Sequence, residues 1–207
     1  MRIFQGVTDT DITEIGQKQL KFLEKRFEAV HLDKIYSSPL IRTKKTAEAI
    51  KGKRDLDIEI FPEIIELNGG FVEAKPFKET FDAYPEMKDA WFNHPEDFAP
   101  DGGEPMRDAY DRISNAFFKI VKENKGKTVA CASHGGIIRC LLCRLIHNDI
   151  TKLKDTTWLD NTAVCYFEVD DSLNVSVKLI NDYSHLPENL LSQKSRLSSF
   201  MQKEVAE

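Results

Sequence analysis

The 207-residue sequence predicts an α/β domain with a mostly parallel sheet. Two segments, 34–50 and 128–146, each read as a short β-rich run that passes through a tight turn directly into a helical pattern. Such strand–turn–helix units are typical of parallel sheets, since the helix carries the chain back across the sheet. The composition is 41% hydrophobic. A chain of this length and composition is expected to form one domain, or one domain with a small insertion.

The first predicted helix follows Thr13, a plausible N-cap, and its apolar residues are spaced three, four and three apart (Leu20, Leu23, Phe27, Val30). Residues 34–37 then predict a strand. Ser38 is expected to cap the next helix, with Pro39 at its first position, and Lys51-Gly52 to end it.

Residues 58–61 predict a further strand, and 63–105, rich in Gly, Pro, aromatic and acidic residues, predict an excursion over one end of the sheet. We place a cap insertion at about 67–104 within a single domain of residues 1–207. A strong helical stripe runs from Met106 to Val121. The later β-rich runs, 163–169 and 175–180, are expected to finish the sheet, and a polar tail follows Pro187.

Charge and hydropathy exclude several classes of partner. The formal net charge is -5, from 29 basic and 34 acidic residues spread along the chain, so no basic block is available to bind nucleic acid. The longest apolar stretches are interrupted by arginine and are too short to cross a membrane. The N-terminus resembles neither a signal peptide nor a transit peptide. A soluble cytoplasmic protein is therefore expected.

Four cysteines lie inside apolar segments (Cys131, Cys140, Cys143, Cys165). This placement predicts buried thiols in a reducing compartment rather than a disulfide framework. Cys140 and Cys143 have redox or zinc spacing, but no second pair of ligands accompanies them and they lie in a predicted helix. We interpret them as core residues, because a zinc site needs a third and a fourth ligand.

Two strand–helix junctions carry residues suited to phosphate binding. Arg42 is in the first turn of the helix after Ser37-Ser38-Pro39, and His134 ends a strand ahead of Gly135-Gly136. Ligands of open α/β sheets bind beyond the carboxyl ends of the strands, where helix N-termini offer free amides. An arginine in a first turn is more often a solvated charge. Arginine and histidine at two such junctions, however, together predict a phosphate site.

Six motifs resemble, in order, those of the histidine phosphatase (phosphoglycerate mutase-like) superfamily. They are Phe4-Gln5-Gly6 with Thr8-Asp9, Tyr36-Ser37-Ser38-Pro39-Leu40-Ile41-Arg42, Glu66-Leu67-Asn68-Gly69-Gly70-Phe71-Val72-Glu73, Gly102-Gly103-Glu104, Ser133-His134-Gly135-Gly136 and Asn161-Thr162-Ala163. The resemblance covers nearly the whole chain. It implies a three-layer α/β/α sandwich with a small helical cap.

The resemblance also implies roles for individual residues. Arg42 would be the second arginine around the phosphate, His134 the second histidine, protonated to stabilise charge, and Glu66 the general acid. Gln5, Gly6, Arg42 and Gly135 would contact the substrate, a small phosphorylated metabolite. No cofactor and no metal are implied. A homodimer stays an open alternative.

The family opens with a strand leading into Arg-His-Gly, which carries the phosphorylated histidine, and this sequence contains no such tripeptide. Its Met1 aligns just before the Gln-Gly segment, so we expect roughly 15 to 20 residues to be absent. His31, His94, His147 and His185 are expected to be surface or packing residues, not replacement nucleophiles.

Three functions therefore stay open: a phosphatase acting through phosphohistidine, a phosphoglycerate mutase-type phosphoryl transfer, and an inactive pseudoenzyme that binds a phosphorylated ligand. The excursion is short for the lid of a mutase, which favours the phosphatase. In the glutamate motif Gly69, Val72 and Ala74 stand where the family often has a bulkier residue, tryptophan and glycine, so a different pocket wall is expected.

Overall fold

A computed structural model describes residues 3–191 of the chain. In chain order the helices and strands are α1 (Glu14–Phe27), β1 (Lys34–Ser37), α2 (Ile41–Lys51), β2 (Ile58–Ile60), α3 (Phe77–Ala83), α4 (Pro85–Asn93), α5 (Met106–Glu123), β3 (Val129–Ala132), α6 (Gly135–His147), β4 (Val164–Val169) and β5 (Val175–Asp182). No helix in this part of the chain is long and apolar enough to cross a membrane. The predicted polar tail lies largely beyond residue 191, outside the described residues.

The central sheet has the order β2-β1-β3, and both pairings are parallel. Ser37, the last residue of β1, is level with Ala132, the last residue of β3. The two strands therefore end at the same edge, and α2 and α6 begin there a few residues later. This register places the two predicted phosphate-binding junctions side by side, because parallel neighbours present their carboxyl ends together. The predicted α/β fold with a parallel sheet is confirmed.

The last two strands differ from the prediction. β4 and β5 pair with each other in an antiparallel ladder and form a separate two-stranded sheet within the described residues. The hairpin still shares the core, since Val164 packs with the cluster that contains Ala130, and Phe167 packs edge-on against Phe117 of α5. Hydrophobic contacts, which need no backbone register, connect this hairpin to the rest of the molecule.

Helices cover both sides of the central sheet and form two hydrophobic clusters. The smaller cluster joins α1 and α2 to one face through Leu23, Ala47 and Ile35. The larger joins α5 and α6 to the other through residues such as Ile113 and Ile137. α1 contributes Leu20, Leu23 and Phe27 of its predicted stripe, and α5 contributes the stripe predicted from Met106 onwards. Val30, also predicted for the first stripe, is exposed because α1 ends at Phe27.

The segment expected to form a cap contains α3, α4 and several single turns of 3-10 helix. Its aromatic residues pack around Phe4, whose ring contacts Phe77, Trp91 and Phe98. Backbone hydrogen bonds add to this anchor, since the Phe4 N–H donates to Lys75 and the Phe4 carbonyl accepts from Ala74. The first described residues are therefore held firmly against this segment.

Two local predictions are wrong. Helix α2 begins at Ile41 with Leu40 as its N-cap. The Ser38 hydroxyl, expected to cap the helix, contacts His134 and accepts from the Leu40 N–H, which lies before the first helical residue. Among the cysteines, Cys140 and Cys143 are buried core residues as predicted, whereas Cys131 is exposed and Cys165 half-buried. Cys131 is exposed because side chains alternate between the two faces along β3, and the buried positions are taken by Ala130 and Ala132.

Candidate active site

Arg42 and His134 meet at the carboxyl edge of the sheet. Arg42 extends from the first turn of α2 and His134 is the N-cap residue of α6. The Arg42 Nε–H donates to Nδ1 of His134 over 3.2 Å. Two residues that are 92 positions apart in the chain are thus in direct contact, as the parallel register of β1 and β3 requires.

His134 is buried, and its environment favours the neutral imidazole. Burial, helped by the charges of Arg42 and Arg112, lowers its pKa to about 3. Because Nδ1 accepts from Arg42, the proton of the neutral ring is on Nε2, which lies 2.7 Å from the Ser38 hydroxyl. Burial and two arginines thus oppose a second proton on His134 while no substrate is bound. The predicted role of a protonated His134 towards a bound phosphate stays a prediction.

The Arg42 guanidinium also binds the loop of residues 5–9. Its Nη2 donates to the Gly6 carbonyl over 2.6 Å, and its Nη1 donates to the Thr8 carbonyl over 2.9 Å. Burial lowers the pKa of Arg42, while the nearby carboxylates Glu66, Asp9 and Glu73 oppose that shift. Arginine remains charged. Its guanidinium lies between the loop and His134 and is hydrogen-bonded to both.

Glu66 occupies the N-terminus of α6. Its carboxylate accepts from the N–H groups of Gly136 (3.0 Å) and Ile137 (3.1 Å), and from its neighbour Leu67 (2.9 Å). Burial nevertheless raises its pKa, outweighing these three hydrogen bonds and the charge of Arg42. The free amides predicted to receive a substrate anion are therefore in contact with Glu66, whose carboxyl holds a proton more readily than an exposed one.

Sequence reasoning missed two side chains at this site. Ser38 contacts His134, although the sequence suggested only a helix cap for it. Glu73 accepts from the backbone of Gly6, Val7 and Thr8 and so holds the loop that faces Arg42. Its presence in the glutamate motif was visible, but nothing in the local pattern linked it to the N-terminal loop.

The other three residues predicted to contact the substrate differ in their exposure and in the space around them. Gln5 is exposed, whereas Gly6 is buried. A Cβ on Gly6 would lie 2.1 Å from both a Glu73 carboxylate oxygen and the Leu67 carbonyl, so only glycine fits. Gly135 faces open space, with nothing within 4 Å of where its Cβ would be. Gly135 therefore leaves room beside His134 for a ligand.

The other four histidines lie apart from this cluster. His31 is exposed beside Asp33, and His94 follows α4. His147 is the last residue of α6, opposite the end that carries His134. His185 contacts Arg26 and Thr162 in the segment after β5.

A sequence profile described as the histidine phosphatase superfamily (branch 1) matches residues 1–182. The chain belongs to this superfamily. The matched range includes Arg42, Glu66 and His134, so all three residues lie in the part of the chain that is similar to the family.

Individual histidine phosphatase relatives agree in both sequence and fold. Phosphoserine phosphatase 1 of Hydrogenobacter thermophilus is 32% identical over 188 residues, covering 89% of this chain and 87% of its own length. The metal-independent phosphoserine phosphatase of Arabidopsis thaliana is 30% identical and covers 88% and 75%. The solved structure of Bacillus stearothermophilus YhfR superposes with a TM-score of 0.84 at 31% identity, covering 89% and 91%.

Proposed function

We propose that this protein is a phosphatase that hydrolyses a small phosphate monoester through a phosphohistidine intermediate. The observation that carries the proposal is the contact between Arg42 and His134 at the sheet edge, with Glu66 beside them at the start of α6. A fixed guanidinium fork and an imidazole can stabilise charge on a transferring phosphoryl group, and a carboxyl of raised pKa can protonate the leaving oxygen.

Arg42 and His134 would hold the phosphate. Arginine binds phosphate oxygens with its planar fork, and a bound dianion would raise the pKa of His134 from its low value by opposing the two arginine charges. His134 would thus gain its proton together with the substrate. The protonated ring would then stabilise the negative charge on the phosphoryl oxygens.

Glu66 would serve as the general acid. In the first step a histidine nitrogen attacks phosphorus, the ester P–O bond breaks, and the Glu66 proton goes to the leaving oxygen. In the second step water attacks phosphorus, the N–P bond breaks, and Glu66 takes the water proton. The raised pKa of Glu66 favours the protonated form that the first step needs.

The nucleophile in this proposal is the histidine of the family's Arg-His-Gly motif, which the printed sequence does not contain. The names of the relatives support a small, carboxylate-bearing ester as substrate. Besides the two phosphoserine phosphatases, a phosphoserine phosphatase from Entamoeba histolytica has been solved with 3-phosphoglyceric acid, at 26% identity and a TM-score of 0.77.

The test compares the 207-residue chain, the same chain extended by an Arg-His-Gly strand, and the protein isolated from its own cells. Release of phosphate from phosphoserine and 3-phosphoglycerate is measured beside isomerisation of 3-phosphoglycerate. Acid-labile, base-stable labelling from a 32P ester detects phosphohistidine. Hydrolysis abolished by Arg42→Ala, but kept in Asp182→Asn, supports the phosphatase. Isomerisation without hydrolysis would indicate a mutase, and phosphate binding without turnover in all three proteins would indicate a pseudoenzyme.

A further inference from the structure

One carboxylate outside the predicted site organises the loop that faces Arg42. Among residues 3–191, Glu73 accepts hydrogen bonds from the consecutive N–H groups of Gly6 (3.3 Å), Val7 (2.9 Å) and Thr8 (3.1 Å). The Thr8 hydroxyl and the Gly69 N–H (2.8 Å) donate to it as well. These donors converge on a single side chain, so Glu73 fixes the path of the loop backbone.

The Glu73 carboxylate is held in its charged form. Partial burial would raise its pKa, but hydrogen bonds from Thr8, Gly69 and Val7 outweigh burial and lower the pKa below the ordinary glutamate value. A carboxylate that accepts several backbone N–H groups is a strong, geometrically defined anchor, because each hydrogen bond is charge-assisted.

The residues held by Glu73 are the same residues that hold Arg42. Gly6 and Thr8 donate their N–H groups to Glu73 and present their carbonyls to the two terminal nitrogens of Arg42. Arg42 in turn donates to His134. A continuous path of hydrogen bonds therefore leads from Glu73 through the loop backbone and the guanidinium to the imidazole.

The anchor is separate from the contacts that hold the rest of the N-terminal segment. Phe4 is fixed by its buried ring and by backbone hydrogen bonds to residues 74 and 75. Asp9 accepts from the Ile41 N–H over 2.7 Å at the start of α2. Removing the Glu73 charge should consequently release residues 6–8 while leaving both ends of the segment in place.

We propose that Glu73 is a positioning residue that aims the Arg42 fork at the phosphate site by fixing the carbonyls of Gly6 and Thr8. Three of the five guanidinium N–H groups have acceptors in the described residues, which leaves two for an anion. The loop fixes the plane of the guanidinium, and that plane sets the direction in which these two N–H groups point. The reference to phosphate rests on the proposed function, whereas the control of Arg42 by Glu73 does not.

The test uses Glu73→Gln, which keeps the shape of the side chain but replaces one acceptor oxygen with a donor amide. Asp182→Asn is the matched control, because Asp182 is a partly buried carboxylate paired with Arg26, away from the site. Nuclear magnetic resonance gives the exchange rates of the Val7 and Thr8 amides and the Arg42 Nε–H signal. Titration with inorganic phosphate gives its Kd.

We expect Glu73→Gln to speed exchange of the Val7 and Thr8 amides, shift the Arg42 Nε–H signal, and weaken phosphate binding by about tenfold to a hundredfold. Asp182→Asn should change none of these. Thr8→Val, which removes only the hydroxyl hydrogen bond, should give smaller shifts of the same kind and serves if Glu73→Gln does not fold.

An unchanged Arg42 signal would overturn the proposal even if the loop amides exchanged faster, because Glu73 would then hold the loop without positioning the arginine. Equal effects of Glu73→Gln and Asp182→Asn would overturn it too, since the role would be one of general stability. If neither the 207-residue chain nor the chain extended by an Arg-His-Gly strand binds phosphate, the proposed function fails. The amide and Arg42 signals then still decide whether Glu73 controls the guanidinium.

Discussion

Glu66 and Glu73 stand in the same irregular segment, and both accept backbone N–H groups, yet their pKa values move in opposite directions. Burial raises the pKa of Glu66 against three N–H donors and the charge of Arg42. Burial also acts to raise the pKa of Glu73, but hydrogen bonds, including one from the Thr8 hydroxyl, outweigh burial and lower that pKa. The first carboxyl lies at the N-terminus of α6, whereas the second is surrounded by the part-buried loop of residues 6–8.

This contrast teaches that hydrogen-bond donors alone do not decide the charge of a carboxyl. What decides is whether the donors replace the hydration that burial removes. The Glu66 region is suited to exchange a proton, and the Glu73 region is suited to stay an anion and hold its neighbours. Substitutions on each side test whether the two carboxyls differ in this way.

The largest expected effect follows removal of the Glu66 proton donor. Glu66→Gln should lower kcat about 10²- to 10⁴-fold for an alkyl phosphate such as phosphoserine. The loss should be much smaller for p-nitrophenyl phosphate, whose leaving group needs no proton. Steady-state rates of the catalytically active protein on both esters check this. A loss of equal size on both esters would contradict the role of Glu66 as an acid.

The next largest effect concerns His134 and pH. Its folded-state pKa of about 3 lies below the ordinary value of 6.5, so the unfolded chain binds more protons between these limits and stability falls as pH falls. Lowering the pH from 6.5 to about 4 should therefore reduce the free energy of unfolding by about 3 kcal/mol through this residue. Urea unfolding at several pH values measures it. His134→Asn should remove this part of the pH dependence, and an unaltered slope would argue against a neutral buried histidine.

A smaller effect separates the two glycines at the start of α6. A Cβ on Gly136 would lie 2.7 Å from a Glu66 carboxylate oxygen, whereas a Cβ on Gly135 meets nothing within 4 Å. To admit the methyl group, Glu66 would have to move away from the Gly136 and Ile137 N–H groups that hold it, so Gly136→Ala should destabilise the fold by about 1–3 kcal/mol. Gly135→Ala, its control, should stay within about 0.5 kcal/mol of the unmodified protein. Equal thermal stability of the two variants would mean that Glu66 does not pack against Gly136.

The smallest effect lies beside Glu73. Ala74 has a φ of 59°, in the left-handed region that disfavours a Cβ. Ala74→Gly should stabilise the protein by about 0.5–1 kcal/mol, because relief of strain exceeds the extra entropy of the unfolded chain. Denaturant unfolding checks this. Destabilisation would show that the Ala74 side chain makes contacts worth more than the strain.

Much of the fold could be predicted from residues 34–50 and 128–146, because each contains a strand and its helix within one short stretch. The separate pairing of β4 and β5 could not, since an apolar strand reads the same whether it joins a large sheet or a hairpin. Likewise, Ser38 before Pro39 favours a helix cap locally. Its actual partner, His134, is brought to it only by the pairing of β1 with β3.

The sequence by itself determined the family, the parallel strand–helix framework and the expectation that Arg42, His134 and Glu66 share one site. Those features depend on local patterns and on the order of motifs. Only the tertiary structure decided that the surroundings of His134 favour a neutral ring, that Glu66 occupies the N-terminus of α6 and that Glu73 anchors the loop beside Arg42. A charge state depends on burial and on every charged neighbour, and these neighbours come from segments far apart in the chain.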